Sequence, residues 1–142
     1  MKNLYNLRFS SNQLSELPPS IGNLTNISYF FLSHNTFTSL PYSFNLTSLP
    51  ESRGDLTKLS EFYLDNNKLI SLPNSFGQLK VKTISIKNNS LFSLPDSLGN
   101  LKYLYGLYLD DKNLIYLSTS FQNLFNLRIL DFAANILKTI LN

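Results

Sequence analysis

The pair Leu-Pro returns along this chain at Leu17-Pro18, Leu40-Pro41, Leu72-Pro73 and Leu94-Pro95, at separations of 23, 32 and 22 residues. Between the later pairs the spacing is fullest in the stretch LSEFYLDNNKLISLPNSFGQL, where Leu59, Phe62, Leu64, Leu69, Leu72, Phe76 and Leu79 are the apolar positions. Neither a 3.6-residue helix nor a two-residue strand keeps such a spacing over that length. A self-similar period of this size is the mark of a solenoid. Each unit is then one coil that cannot bury its apolar residues alone, and stacked coils bury them between neighbours.

Within a unit the frame is Leu-x-x-Leu-x-Leu-x-x-Asn-x-Leu-x-x-Leu-Pro. The Phe62-x-Leu64 step has the alternation of a short strand, with Tyr63 and Asp65 on the opposite face. Leu69, Leu72, Phe76 and Leu79 turn inward from the returning arc. Its back side, Pro73 to Leu79 and again Pro95 to Leu101, has room for a single helical turn, with Asn74 or Asp96 near its start and Gly77 or Gly99 easing the exit. The ninth position holds Asn12, Asn35, Asn67, Asn89 and Asn135. An amide offers donor and acceptor together, so these five are expected to form a structural ladder that bridges each coil to the next.

The frame divides the chain into units at about 4–26, 27–58, 59–80, 81–103, 104–126 and 127–142, a single domain. The second is irregular. After Phe44-Asn45-Leu46 a second Leu49-Pro50 follows, and a loss of 14 residues would join the two halves in frame, so 42–56 is expected to bulge outward as a deletion scar or a grafted loop. Arg53 stands where other units place an inward apolar residue and is expected to snorkel out. Unit three is one residue short at Leu79-Lys80-Val81. In unit five Lys112 replaces the ladder Asn and Ser118 the Pro, which weakens the ladder there, with Asn113 placed to compensate. The first and last units bring no cap, so the chain is expected to be cut from a longer array or to have its ends covered, and end-to-end self-association is one outcome.

These residues resemble the leucine-rich repeat family, and the endings LPPSIGNL, LPNSFGQL and LPDSLGNL resemble its 23-residue "LPxSIGxL" subgroup, the Ras-suppressor-like and plant intracellular Ras-group-related type. The resemblance implies an α/β solenoid: a right-handed arc with a parallel β-sheet on the concave face and short helical or irregular turns on the convex face. It also implies non-catalytic binding of a protein or peptide, in intracellular signalling.

On that architecture the residues between the inward apolar positions form columns. The middle column runs Arg8, Phe31, Tyr63, Ser85, Tyr108, Asp131, and its neighbour Asn6, Tyr29, Glu61, Thr83, Gly106, Ile129. Adjacent strands lie about 4.8 Å apart. Tyr29, Phe31, Tyr63 and Tyr108 are thus expected to make an aromatic strip flanked by Glu61, Asp65, Lys87, Asp110 and Asp111, the composition of a protein-binding face. Stacking of good strand formers across coils would produce the same residues.

Other chemistry finds little support. His34 is the only histidine and falls on the rim beside Asn35; no phosphate loop, metal-ligand spacing or nucleophile triad is visible, so neither catalysis, a cofactor nor a metal is expected. The net charge of +3 is scattered, which gives nucleic acid or a membrane no basic run to grip. No apolar run reads as a signal peptide or a membrane span. The absence of cysteine fits a reducing compartment, and a cytoplasmic location is expected. Sequons at Asn23, Asn26, Asn45 and Asn88 are what a chain so rich in Asn, Ser and Thr produces by chance. The alternatives are the recognition fragment of a larger signalling protein or enzyme, a self-associating structural protein, and a decayed copy without a role.

Overall fold

A computed structural model describes residues 3–41, 56, 58–110 and 113–139. The expectations for most of the 42–56 segment, with Arg53, and those for Asp111, Lys112 and the chain's last three residues lie outside the described residues. Among the described residues there are six three-residue strands: β1 (Asn6–Arg8), β2 (Tyr29–Phe31), β3 (Glu61–Tyr63), β4 (Thr83–Ser85), β5 (Gly106–Tyr108) and β6 (Ile129–Asp131). All pair in parallel, in sequence order. Leu7, Phe30, Phe62, Ile84, Leu107 and Leu130 fall opposite one another, one register position after another. The chain is therefore a solenoid of stacked coils, each of the six strands coming from a different coil and joining a common sheet.

Burial explains why the coils stack. Ile27, Phe30, Leu32, Phe37, Leu59, Phe62, Leu64, Leu69 and Phe76 are sealed from solvent, as are their counterparts through Leu114. Phe30 and Phe62 stack with ring centroids 5.3 Å apart, and Phe76 packs on Phe62 at 5.8 Å. Each such side chain contributes about 1.5–3 kcal/mol only because the next coil covers it. In β6 the inward position, Leu130, is 44% exposed.

The returning arcs hold short 3-10 turns at Pro19–Asn23, Asn74–Gln78, Asp96–Asn100 and Thr119–Asn123. Pro18, Pro73 and Pro95 occupy the N-cap position without a side-chain hydrogen bond, since proline's fixed φ already sets the turn. Ser118 replaces that stiffness with chemistry: its Oγ accepts from Ser120 N and donates to Asp96 Oδ1 of the coil before, at 2.6 Å. Gly77 and Gly99 serve a different purpose from the expected easy exit, because no glycine of the described chain has positive φ. A Cβ on Gly77 would lie 1.9 Å from the Ser97 carbonyl oxygen, and one on Gly99 2.3 Å from that of Ser120. Glycine lets the next coil close in.

Positive φ appears instead at Ser11, His34, Asn66, Asn88 and Ala134, between 53° and 60°. Each immediately precedes a ladder asparagine, where the strand bends into the arc. The asparagines then bridge to the preceding coil rather than the following one. Asn67 Nδ2 donates to Leu64 O in its own coil at 2.9 Å and to Leu32 O in the coil before at 3.1 Å, while its Oδ1 accepts from Phe37 N at 3.2 Å. Asn35, Asn89 and Asn135 repeat the arrangement with Phe9 O, Leu64 O and Leu109 O. Asn12 bonds Phe9 O and Ser10 O within its own turn and is exposed.

Candidate functional site

The outward face of the sheet is set by the two-residue alternation of the strands, so its columns follow from the register alone. Arg8, Phe31, Tyr63, Ser85, Tyr108 and Asp131 stand side by side, and so do Asn6, Tyr29, Glu61, Thr83, Gly106 and Ile129. Phe31 and Tyr63 stack nearly parallel, with centroids 5.0 Å apart and planes at 2°, and the Arg8 guanidinium lies 4.9 Å from the Phe31 ring. Tyr5, from just ahead of β1, meets Tyr29 edge-on at 5.2 Å. Tyr29, Phe31 and Tyr63 are half-buried, so one surface of the stack meets solvent, and Tyr5 is exposed. Such stacking adds about 0.5–1.5 kcal/mol per pair, and it holds the rings in place before any ligand arrives.

The aromatic strip does not run the full sheet. At β4 the column holds Thr83 and Ser85, and Ser85 Oγ donates to Asp65 Oδ1 at 2.6 Å. The same Asp65 oxygen accepts Lys87 N at 2.7 Å, so Asp65 is spent on fastening β3 to β4. Tyr108 therefore stands apart from Tyr63. It belongs to a polar end: Lys87 Nζ passes 5.0 Å from the Tyr108 ring and reaches Asp131 Oδ2 at 2.6 Å, spanning two coils. Asp110 is half-buried nearby, and its Oδ1 has no hydrogen-bond partner among the described residues.

Electrostatics follow this division. Burial, then the hydrogen bond that the Tyr63 hydroxyl donates to Glu61 Oε2 at 2.9 Å, push the Tyr63 phenol up to about 12. The Lys87 bond holds the Asp131 carboxyl below its ordinary range, with Ala133 N donating as well, and the same bond raises Lys87. Both partners of that pair are about a third exposed, so it contributes about 0.2–1 kcal/mol. The two ends thus differ: a neutral, stacked ring system over β1 to β3, and a charged pair over β4 to β6.

Arg8 and Asp131 complete the face, although sequence reasoning had placed them in the column without assigning them a part. The signal was available in the column order, since each sits beside an aromatic or two coils from a cation. Exposed rings outside the sheet were missed altogether: Phe92 is 62% and Phe125 79% exposed. His34 is exposed and lies 3.4 Å from Asn66 Nδ2, which in turn accepts from Asn88 at its Oδ1, so the histidine is one member of a rim ladder at the left-handed positions. Among the described residues no group of acidic, histidine or cysteine side chains is arranged to hold a metal ion, and no helix is long and apolar enough to cross a membrane.

Three stretches of the chain, residues 3–24, 58–79 and 80–101, match the family model for the Leucine Rich Repeat. Among solved structures, a leucine-rich repeat protein of Leptospira interrogans is 28% identical with a TM-score of 0.56, over 94% of this chain and 44% of that one. The leucine-rich repeat domain of the type III effector XopL has the same fold, with a TM-score of 0.70 at 23% identity, over 98% of this chain and 56% of that one. This chain thus spans about half the length of each. No curated protein matches it. The repeat matches and the shared fold support placing the chain in the leucine-rich repeat family; they leave its subgroup unassigned.

Proposed function

We propose that this leucine-rich repeat arc is a non-catalytic binding module whose outward sheet face captures a protein or peptide. The observation that carries the reading is the Arg8–Phe31–Tyr63 stack, rings and a cation fixed on a rigid sheet with one side open to solvent. Flat, polarisable side chains that lose little freedom on binding are what binding hot spots are built from. Tyr29 and Glu61 extend the stack on one side, and Tyr108, Lys87 and Asp110 offer a polar anchor on the other. Asp65, bonded into the sheet, contributes position rather than contact.

An intracellular signalling role in a reducing, cytoplasmic setting belongs to the same proposal. Its supports are the absence of cysteine and the resemblance of LPPSIGNL, LPNSFGQL and LPDSLGNL to the Ras-suppressor-like subgroup. Residues 1–142 act in it as one recognition unit. If the chain is the recognition part of a longer signalling protein or enzyme, the same face does the binding.

The test is a displayed peptide library selected on the native protein. Enriched peptides should bind the Phe31→Ala/Tyr63→Ala double variant at least about tenfold more weakly, the loss of roughly 1.4 kcal/mol or more that a central aromatic pair represents. The Phe92→Ala/Phe125→Ala variant should bind them unchanged. The opposite ranking, with both variants still folded by circular dichroism, would move the binding face off the sheet.

A further inference from the structure

At the edge of the sheet where the chain enters β3 to β6, a recess of about 570 Å3 opens, lined by Glu61, Lys82, Thr83, Tyr103, Tyr105 and Arg128 among others. Its floor is low because the first strand position carries only Thr83 in β4 and a buried glycine, Gly106, in β5. Its wall is built by the residues that precede the strands. Lys82 N bonds Ser60 O, Tyr105 N bonds Lys82 O and Arg128 N bonds Tyr105 O, each at 2.8 Å. That backbone ladder sets Lys82, Tyr105 and Arg128 side by side at strand spacing, a ring between two cations. Arg128 is further held by Nη1, which donates to Phe125 O at 3.1 Å and Leu127 O at 3.0 Å.

Neither cation is neutralised from within the described residues, where the ion pair is Lys87 with Asp131. Glu61, the one carboxylate among the described residues that line the recess, already accepts the Tyr63 hydroxyl. Two cations against one engaged carboxylate leave the recess positive. A ring between them offers a surface for a short hydrocarbon stem, and a guanidinium is fitted to grip a carboxylate with two parallel bonds. Glu61 and Thr83 also belong to the outward column beside Tyr63 and Ser85, so the recess opens onto the proposed binding face.

We infer that this recess is an anchor for an acidic side chain of a bound peptide, its carboxylate held between Lys82 and Arg128 and its stem lying on Tyr105. The inference rests on the proposed reading of the sheet as a peptide-binding face and adds the charge of the partner to it. Selectivity comes from the two cations: a neutral amide of the same shape meets the same ring without the charge-assisted bonds.

The probe is the blocked dipeptide acetyl-tyrosyl-glutamic acid amide, whose only charge is the side-chain carboxylate, with its glutamine counterpart as control. Titrated into the nitrogen-15-labelled native chain, the glutamate peptide should produce saturable shifts at the backbone amides of Lys82, Thr83, Tyr105, Gly106 and Arg128. The glutamine peptide should bind about tenfold more weakly, the difference expected of a charge-assisted against a neutral contact. The Lys82→Gln/Arg128→Gln variant should abolish the preference, and the Phe31→Ala/Tyr63→Ala variant should keep it. Equal binding of the two peptides, shifts centred elsewhere, or a preference that survives loss of both cations overturns the inference. If library peptides ignore Phe31 and Tyr63 while the dipeptide still titrates the recess, the reading of the sheet fails and the anchor stands; the reverse result removes the anchor alone.

Discussion

Replacing Asn67 by alanine separates the coil-to-coil amide bridge from every other source of stability. Asn67 is 8% exposed and joins two coils, donating to Leu32 O, Leu64 O and Asp65 O and accepting from Phe37 N. The carbonyls lose little, because Leu32 O also accepts from Asn35 and Leu64 O from Asn89. Phe37 N is different: its acceptor is Asn67 Oδ1, and a buried N–H left open costs about 1–3 kcal/mol. With the packing lost beneath the missing amide, the total is about 2–4 kcal/mol. At about 4 °C per kcal/mol for a chain of this size, the melting temperature should fall by about 8–16 °C. The Asn12→Ala variant is the internal control. Its amide bonds only within its own exposed turn, so the loss should be about 0.5 kcal/mol or less. Thermal and urea unfolding followed by far-ultraviolet circular dichroism read both. Equal losses at the two positions would refute the bridge as the source of stability. The Asn67→Asp variant adds a signature in pH. Its second oxygen would face the carbonyls that the amide now serves, so the protonated acid, which can donate, is favoured in the fold and its pKa lies above the unfolded value of about 3.9. Stability of that variant should be greatest below this pH and decline as pH rises through the folded value.

Three further outcomes are expected. Gly77→Ala puts a methyl against the Ser97 carbonyl and should destabilise by about 1–3 kcal/mol or more, whereas Gly106→Ala, whose Cβ would approach a Tyr108 ring carbon at 3.3 Å, should cost less by urea unfolding. Ala134, at φ 56°, holds a left-handed position that the chain fills with asparagine at Asn66 and Asn88, so Ala134→Asn should raise stability by about 0.5–1 kcal/mol in the same assay. In an ultraviolet absorbance titration, Tyr63 should ionise near 12 rather than near 10.0, and Glu61→Gln should bring it partway back, since burial, the larger cause, remains. Because its folded pKa is the higher one, the stability this tyrosine lends is complete below pH 10 and is lost as pH rises from 10 to 12.

The period carried most of what could be read from the sequence. Alternation at Phe62-x-Leu64 places the strand, recurrence places its partners, and the columns of the outward face follow without further information. What the pattern could not carry is any contact that depends on the size and charge of neighbours in other coils. Ser85 is unremarkable until Asp65 of the coil before reaches it, and Lys87 finds Asp131 only across two coils. The direction of the amide bridge and the purpose of Gly77 are hidden for the same reason, since one unit read by itself contains neither the preceding Leu32 carbonyl nor the following Ser97. The left-handed residue before each ladder asparagine was missed because Ser11, His34, Asn66, Asn88 and Ala134 share a conformation and no chemistry. The rim recess was equally silent, as it needs Lys82, Tyr105 and Arg128 from three different units.

The chain has no cysteine, so single cysteines report the inward and outward alternation directly. Thr83 faces out of β4, half-buried, and Ile84 faces into the core, sealed from solvent. In the native chain a thiol at Thr83→Cys should react with a maleimide at close to the rate of Lys82→Cys, and one at Ile84→Cys should be slowed at least about a hundredfold, because it reacts only when the coils part. Fast labelling at Ile84→Cys in a protein that remains folded, with protection at Thr83→Cys, would contradict the stacked register and with it the binding face.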